Sequence, residues 1–495
     1  MSENAPPKQV DMRVMAAIVA SALFMQNLDS AAIITALPSM ARDLGEEPAR
    51  LGVAITSYLV SITVFIPLSG WVADRFGAKR VFMAAIAIFT FASILCGRST
   101  GLGELVAARV FQGFGGAMMV PVARLLLLRR VSKEDMLSAM TWLTMPAMIG
   151  PISGPPLGGF LTDSFGWRSV FYINVPIGML GLAMVAWKIP DVPPGDPGPP
   201  DIKGLLLIGV ALALLMFGIE TVGRGVFPRW LPPGALAVGL AVGVLAVRHC
   251  RARSRPAIDF SLLAIPTFNQ ATLAGSVFRG GAGAAPFLVP MLLQLGFHRS
   301  ASAAGLVSFA TALGAMAMKP LARPILRRFG FRAALAGNAL LAAAGIAVCA
   351  TFTAAWPVMA IFGLLALGGL ARSLQFTALN TLAFADVPQA KLSAATSFFG
   401  TAQQLSPALG VVLATASLEA SSALHGRPGL LTTADFSWAF VISAVVVAAS
   451  APFFTRLRQD AGGAVSGHLG RAAGAGPAGL GQPTSSVPVS KPANM

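Results

Sequence analysis

The sequence predicts an all-α integral membrane protein made of two six-helix bundles with a two-helix hairpin inserted between them. Three observations lead there. Charged residues are 11% and hydrophobic residues 55% of the 495 positions, whereas a soluble globular chain carries about 25% charged residues. With so little charge to cover its outside, the chain must be solvated by lipid. It also contains fourteen apolar segments, each close to the roughly 20 residues that a spanning helix needs. Finally, Lys and Arg divide unequally between alternate connections.

The first six segments run about 14–37, 51–71, 81–98, 104–128, 136–161 and 169–187. A Pro-, Gly- and Asp-rich break follows, Pro190 to Pro200. Two spans, about 203–222 and 232–247, make the hairpin, and the basic stretch Arg248–Arg255 closes it. The last six run about 267–293, 303–320, 333–352, 357–382, 394–418 and 435–455. The resulting units are an N-terminus 1–12, an N-terminal bundle 13–190, a hairpin 200–248, a C-terminal bundle 260–458 and a tail 459–495. Six, two and six spans is a repeat architecture of secondary transporters. The tail is Gly, Ala, Ser and Pro from Ala461 on, too poor in large apolar groups to order itself. No small-residue cleavage site follows the first apolar run, which reads as a retained span.

Orientation follows from the loops. Of the 36 Lys and Arg, four lie within spans and eight (Arg42, Arg50, Arg98, Arg168, Arg224, Arg229, Arg299 and Arg427) on one side, which leaves 24 on the other. The positive-inside rule puts the side of the 24, and with it both termini, in the cytoplasm of a bacterial inner membrane. The same rule accounts for the net charge of +16. The basic residues form short clusters between apolar runs, without a basic domain or aromatic platform, so nucleic acid is not the partner. Cys96, Cys250 and Cys349 have no metal-ligand spacing and read as apolar filler.

Between spans two and three stands Gly70-Trp71-Val72-Ala73-Asp74-Arg75-Phe76-Gly77-Ala78-Lys79-Arg80. Gly70 allows close helix approach. Asp74 suits a facing helix N-terminus or a basic side chain. Gly77 permits a tight turn, and Arg75, Lys79 and Arg80 hold the loop inside. A degenerate echo, with Lys319, Arg323, Arg327, Arg328, Gly330 and Arg332, keeps the charges and lacks the acid. Span four holds Arg109-Val110-Phe111-Gln112-Gly113-Phe114-Gly115-Gly116. A mid-helix charge costs about 2.5–3.5 kcal/mol on insertion scales, so Arg109 either faces a cavity or a partner or snorkels to the outer interface. Span five holds Gly150-Pro151-Ile152-Ser153-Gly154-Pro155-Pro156-Leu157-Gly158-Gly159. Its glycines at every fourth position make a smooth face for another helix, and its prolines bend the helix.

The first motif resembles the hallmark loop of the major facilitator superfamily, and the other two resemble its span-four and antiporter motifs. The resemblance implies a cytoplasmic gate at Gly70, Asp74, Arg75, Gly77, Lys79 and Arg80. It also implies a proton-coupling Arg109, and an antiporter element at Gly150, Pro151, Gly154, Pro155, Gly158 and Gly159. Leu28-Asp29-Ser30, Thr35-Ala36-Leu37-Pro38 and Trp167-Arg168-Ser169-Val170-Phe171-Tyr172-Ile173-Asn174-Val175-Pro176-Ile177-Gly178 look like the fourteen-span drug:proton antiporter family of EmrB and QacA. Asp201-x-x-Gly204 fits too, and Gly115–Val122 and Gly314–Lys319 look most like its MdtD-type branch.

Six ionisable residues fall within spans: Asp29, Arg109, Arg124, Glu220, Arg279 and Arg372. Arg124 lies one turn from the cytoplasmic end and reads as snorkelling; Glu220 reads as interfacial. Asp29 sits mid-span beside Gln26 and Asn27, and a carboxylate balanced between desolvation and a nearby Arg can exchange a proton. Asp29 is therefore the expected coupling acid and Arg109 its modulator. Arg279 and Arg372 reach similar depth near the midplane, flanked by glycines. They either pair with backbone carbonyls or recognise carboxylate or phosphate. The substrate-binding set is then Gln26, Asn27, Arg279, Arg372 and Gln375.

The expected function is proton-coupled export of small molecules, with multidrug efflux implied by the family. The midplane arginines favour the alternative of organic anions or metal-carboxylate chelates. No HExxH, GxSxG or Walker-type motif occurs, which speaks against an enzyme and against ATP as energy source, and no charge ring marks a channel. The expected energy source is the proton gradient, without cofactor or bound metal. The expected functional unit is a monomer, and a periplasmic adaptor stays open.

Overall fold

The computed structural model describes residues 12–191, 194–222, 227–426 and 431–468. The N-terminus to residue 11, the loop charges Arg224 and Arg427, and the tail beyond 468 lie outside the described residues. Everything described is helix, turn or loop. The N-terminal half comprises α1 (Met12–Leu44), α2 (Pro48–Phe65), α3 (Ser69–Phe76), α4 (Ala78–Arg98), α5 (Leu102–Leu128), α6 (Met136–Phe165), α7 (Ser169–Tyr172) and α8 (Asn174–Lys188). The hairpin is α9 (Ile202–Thr221) and α10 (Leu231–Arg251). The C-terminal half comprises α11 (Pro266–Asn269), α12 (Gly275–Ala282), α13 (Ala285–Met291), α14 (Ala301–Cys349), α15 (Val358–Ala385), α16 (Leu392–Leu424) and α17 (Thr433–Phe454), and α18 (Gly463–Ser466) follows. Among the described residues, 12 helices are long and apolar enough to cross a membrane, both hairpin helices included.

Three departures from regular helix matter for the site. Gly77, at φ 88°, separates α3 from α4, a backbone conformation only glycine adopts readily. Its counterpart Gly330, at φ 70° and ψ 169°, is non-helical and divides α14 into two helices, one on each side of the turn, where two spans were expected. The expected single span over 267–293 is instead segmented, α11, α12 and α13 alternating with π-helical turns at Gln270–Ala274 and Leu292–Gly296. π-turns of this kind collect at functional sites, and this one lies directly before the segment that carries Arg279.

The glycine ladder of α6 packs on α1. A Cβ at Gly150 would stand 2.8 Å from Cβ of Asn27, one at Gly154 2.4 Å from Cβ of Ala31, and one at Gly158 2.6 Å from Oγ1 of Thr35. Gly159 meets nothing within 4 Å, and Pro151 and Pro155 are exposed. The motif thus brings the backbone of α6 onto the stretch of α1 around Asp29. In the hairpin, α9 lies on α2 and α16, and α10 packs on α9. Asp201 caps α9 through Gly204 N and binds His249 Nε2 at 2.9 Å and Ala257 N. Burial pushes this carboxyl up, but the three bonds outweigh it and hold it below the usual range.

The tail expected to be disordered from Gln459 is ordered at its start. Val465 and Ser466 of α18 are buried, His468 Nδ1 lies 2.9 Å from the carbonyl of Arg327, and α18 touches α14, α15 and α6. One buried valine and a short left-handed entry at Gly462 (φ 67°) suffice to seat a segment whose composition argues against it.

The α1–α6 contact makes a stability prediction. Gly154→Leu should lower the melting temperature of the detergent-purified protein by several degrees, since overpacking costs about 1–3 kcal/mol. Gly159→Ala, in open space, should leave it unchanged. Equal melting of the two variants would contradict the contact.

Candidate functional site

Two clusters of buried charge occupy the protein, one inside the N-terminal half and one on the seam between the halves. In the first, the Asp29 and Arg109 side chains are both 0% exposed, with Nη1 2.6 Å from Oδ2. Arg109 Nη1 also reaches Gln112 Oε1 at 2.6 Å. Gln112 Nε2 donates to Asp29 Oδ1 at 3.1 Å and Asn174 Nδ2 donates to the same oxygen at 2.7 Å. Ser93 Oγ accepts from both amides, at 2.8 and 3.2 Å, and donates to the carbonyl of Phe89. The guanidinium lies 4.4 Å from the ring centre of Tyr58 and 5.6 Å from that of Phe171. Helices α1, α2, α4, α5, α7 and α8 therefore meet on one ion pair. Removing one partner of such a pair leaves an uncompensated buried charge, worth about 3–5 kcal/mol. Of the two fates open to Arg109, the structure selects the buried partner over the interface.

The second cluster holds three cations. Arg124, Arg279 and Lys319 are all buried. Arg124 Nη2 binds Asn380 Oδ1 at 3.0 Å and Gln403 Oε1 at 2.9 Å, crossing from α5 to α15 and α16. Lys319 Nζ binds Thr144 Oγ1 at 2.9 Å and Thr377 Oγ1 at 3.1 Å, crossing from α14 to α6. Arg279 Nη2 reaches the carbonyl of Thr272 at 3.4 Å and Ser276 Oγ at 3.3 Å. The Arg124 and Arg279 guanidiniums both lie over Phe399, 5.4 and 5.3 Å from its centre. Nε and Nη1 of both arginines have no partner. Every partner of these cations is a neutral oxygen or a ring face.

This cluster changes the expected substrate set. Arg124 belongs to it and does not snorkel. Arg279 pairs with Arg124 and not with Arg372. Arg372 on α15 is accessible yet closely surrounded by protein. It stands nine residues from the exposed Gly363, and at 100° per residue the two look to opposite sides of the helix. Gln375 lies away from the seam: it is buried, accepts from Asn338 Nδ2 at 2.8 Å and donates to the carbonyl of Leu335, tying α14 to α15. Asn27 bonds the carbonyl of Leu23 at 2.7 Å on the α6 contact. Gln26 is buried against Gly116.

The α3–α4 loop forms a latch at one end of the seam. Arg129 Nη2 binds Asp74 Oδ1 at 2.5 Å and Ser393 Oγ at 2.8 Å, while Ser393 Oγ donates to Asp74. A Cβ at Gly70 would stand 2.6 Å from the carbonyl of Ser393, and Ser397 Oγ caps the carbonyls of Ile66 and Pro67. The acid therefore meets a basic side chain, the second of its two expected partners. Beside it opens a cleft of about 660 Å³ that Asp74, Arg129, Arg130 and Asp191 help to line. Arg75 and Lys79 reach Asp196 and Asp191 of the linker at 3.7 Å. Arg80 is exposed. The two halves are thus joined at the loop end by the latch and by the Arg124 and Lys319 crossings.

A family model described as Major Facilitator Superfamily matches residues 19–265 and 271–486. The chain belongs to the Major Facilitator Superfamily. Within this superfamily it is MdtD-like. It is 36% identical over 448 residues to a Klebsiella pneumoniae protein carrying the multidrug-resistance name MdtD, covering 90% of this chain and 94% of that one. The Salmonella paratyphi B protein of the same name is 36% identical over 446 residues, with the same coverage. Two solved superfamily structures share the fold at 15% identity. The human organic anion transporter MFSD10 has a TM-score of 0.66, over 90% of this chain and 100% of that chain. The proton:xylose symporter XylE has 0.63, over 92% and 97%. The protein is a multi-pass inner-membrane transporter of the superfamily and not an enzyme.

Cys96, Cys250 and Cys349 are buried, so thiol labelling can report on the latch. Ser397→Cys, buried in the seam, should resist a membrane-impermeant maleimide. Adding Asp74→Asn should raise its labelling rate several-fold. Equal rates would show that Asp74 does not hold the seam.

Proposed function

We propose that this protein is a proton-coupled antiporter that exports small molecules from the cytoplasm. The observation carrying this reading is the Asp29–Arg109 pair, both side chains fully enclosed. A carboxylate at mid-helix in a transporter is a proton carrier when its counter-charge can be exchanged for a proton. A charge crossing 100 mV is worth about 2.3 kcal/mol, enough for one or two protons to concentrate a substrate without a cofactor.

The loop bias puts the latch and both termini on the cytoplasmic side. The conformation described is then outward-facing, with the cytoplasmic path closed by Asp74, Arg129 and Ser393. Counting α6 with the 12 long apolar helices, and reading α14 as two spans about Gly330, supports fourteen spans in a six, two and six arrangement, with α9–α10 as an inserted hairpin. The functional unit is a single chain.

The name of the MdtD relatives supports multidrug efflux as the function class. The seam supports a second reading of the cargo. Three buried cations without an acid among their partners suit an organic anion or a metal-carboxylate chelate better than a lipophilic cation, which prefers acids and aromatic faces.

The test is transport in cells lacking their major exporters, measuring dye and drug tolerance beside efflux of labelled carboxylates. Asp29→Asn should abolish substrate-induced proton movement while leaving membrane insertion intact; unchanged proton movement would remove Asp29 from the mechanism. Arg124→Ala and Arg279→Ala should each lower carboxylate efflux at least tenfold if the cargo is an anion. Carboxylate efflux no greater than the empty vector would leave multidrug efflux as the function.

A further inference from the structure

The amide of Asn174 has no place in the coupling pair as the motifs describe it, yet its hydrogen bonds determine how Asp29 can hold a proton. Ser93 donates its only hydroxyl proton to the carbonyl of Phe89. Toward its neighbours it can therefore only accept, and both amides facing it must present NH2 groups. The NH2 group of Asn174 that donates to Ser93 at 3.2 Å also donates to Asp29 Oδ1 at 2.7 Å. With Gln112 on the same oxygen and Arg109 on Oδ2, the carboxylate accepts three bonds, and none of these partners offers an acceptor to a carboxylic O–H. Meanwhile Asn174 Oδ1 is buried and has no partner.

A half-turn of the amide about its terminal torsion exchanges the two roles. Oδ1 then faces both Asp29 and Ser93. It accepts the new O–H of Asp29, and the Ser93 hydroxyl swings from the carbonyl of Phe89 to donate to it as well. The proton that arrives goes onto Asp29 Oδ1 and no covalent bond breaks; the Ser93–Phe89 hydrogen bond is exchanged for one from Ser93 to Asn174, and the amide NH2 moves to the unpartnered place that Oδ1 held. One orientation of the amide serves the carboxylate and the other serves the acid. We propose that Asn174, pinned by Ser93, is the positioning residue for proton exchange at Asp29, a two-position amide that matches either protonation state. This rests on the antiport reading and adds to it the group that adjusts when the proton comes and goes.

The charged and titratable groups facing Asp29 are Arg109 on α5, Tyr58 on α2 and Cys96 on α4. Asn174 on α8 is neutral in both states, so its removal alters the bonds around Asp29 and leaves the charges in place. A hydrogen bond to a charged acceptor is roughly twice as strong as one between neutral groups. Losing both orientations therefore removes more from the carboxylate than from the acid, and proton release should need a higher pH.

The experiment uses the purified full chain, titrated by infrared difference spectroscopy on the carbonyl stretch of protonated carboxyl groups. The band absent from Asp29→Asn reports Asp29 directly and requires no transported substrate. In Asn174→Leu its midpoint should move to more alkaline pH by about one unit. In Ser93→Ala it should move the same way by less, which keeps the proposal testable if the first variant does not fold. Asn174→Gln, which restores an amide, should bring the midpoint back toward the unaltered protein. Midpoints unmoved in both Asn174→Leu and Ser93→Ala would overturn the proposal while leaving antiport standing. An unaltered protein with no Asp29 band across the accessible range would overturn the antiport reading and this one with it.

Discussion

Enclosing Asp29 and Arg109 in direct contact is the constraint that organises the N-terminal half. Two opposite charges removed from solvent repay their desolvation only in good geometry, with the remaining polar atoms bonded. The carboxylate meets that condition, and its partners fix the register of four helices at once, through Asp29 on α1, Ser93 on α4, Arg109 with Gln112 on α5, and Asn174 on α8. Nε and Nη2 of Arg109 have no hydrogen-bond partner, and the guanidinium lies against the Tyr58 and Phe171 rings. The glycine ladder on α6 serves the same end, because it packs closely on α1 along Asn27, Ala31 and Thr35. What reads in the chain as separate motifs in spans one, four, five and six is one packing solution.

The seam obeys a different rule. Arg124, Arg279 and Lys319 are buried against amide, hydroxyl and carbonyl oxygens and the ring of Phe399, with no carboxylate among their partners. Crossings of this kind hold the halves together without the strength of an ion pair. The charged pair at the loop end, Arg129 with Asp74, lies within the first half and reaches the second through Ser393, which bonds both. Firm bonding inside a half and looser bonding between halves is what a rocking transporter requires.

The chain made much of this legible. The composition, the loop charges and the three motifs contained the fold class, and Asp29, Arg109 and Asp74 fell where their residue types suggested. The misreadings share a cause. Arg124 lies near a helix end in the sequence, so snorkelling was the natural expectation, but helices from the other half cover it. Gln375 lies three residues from Arg372, yet its face of α15 meets Asn338. Lys319 read as a loop charge because nothing local shows that Thr144, 175 positions earlier, comes within 2.9 Å. Gln112 did leave a signal, standing three residues from Arg109 on the same helical face. In each case the missing information was the neighbour across the fold, which no helical period records. The ordered start of the tail belongs here too, since its seat on Phe331 and Leu382 is invisible in its own composition.

The placement of the two clusters separates two tasks along the chain. Every group that bonds Asp29 comes from residues before 190, whereas the seam draws Arg124 and Thr144 from the first half and Arg279, Lys319, Asn380 and Gln403 from the second. The first half carries an acid and the latch; the corresponding loop of the second half keeps the turn at Gly330 and the basic residues but has no acid to match Asp74. The buried acid is thus enclosed by one half alone, and the buried cations are shared by both. Substitutions that change the seam cations can therefore spare every group that bonds Asp29.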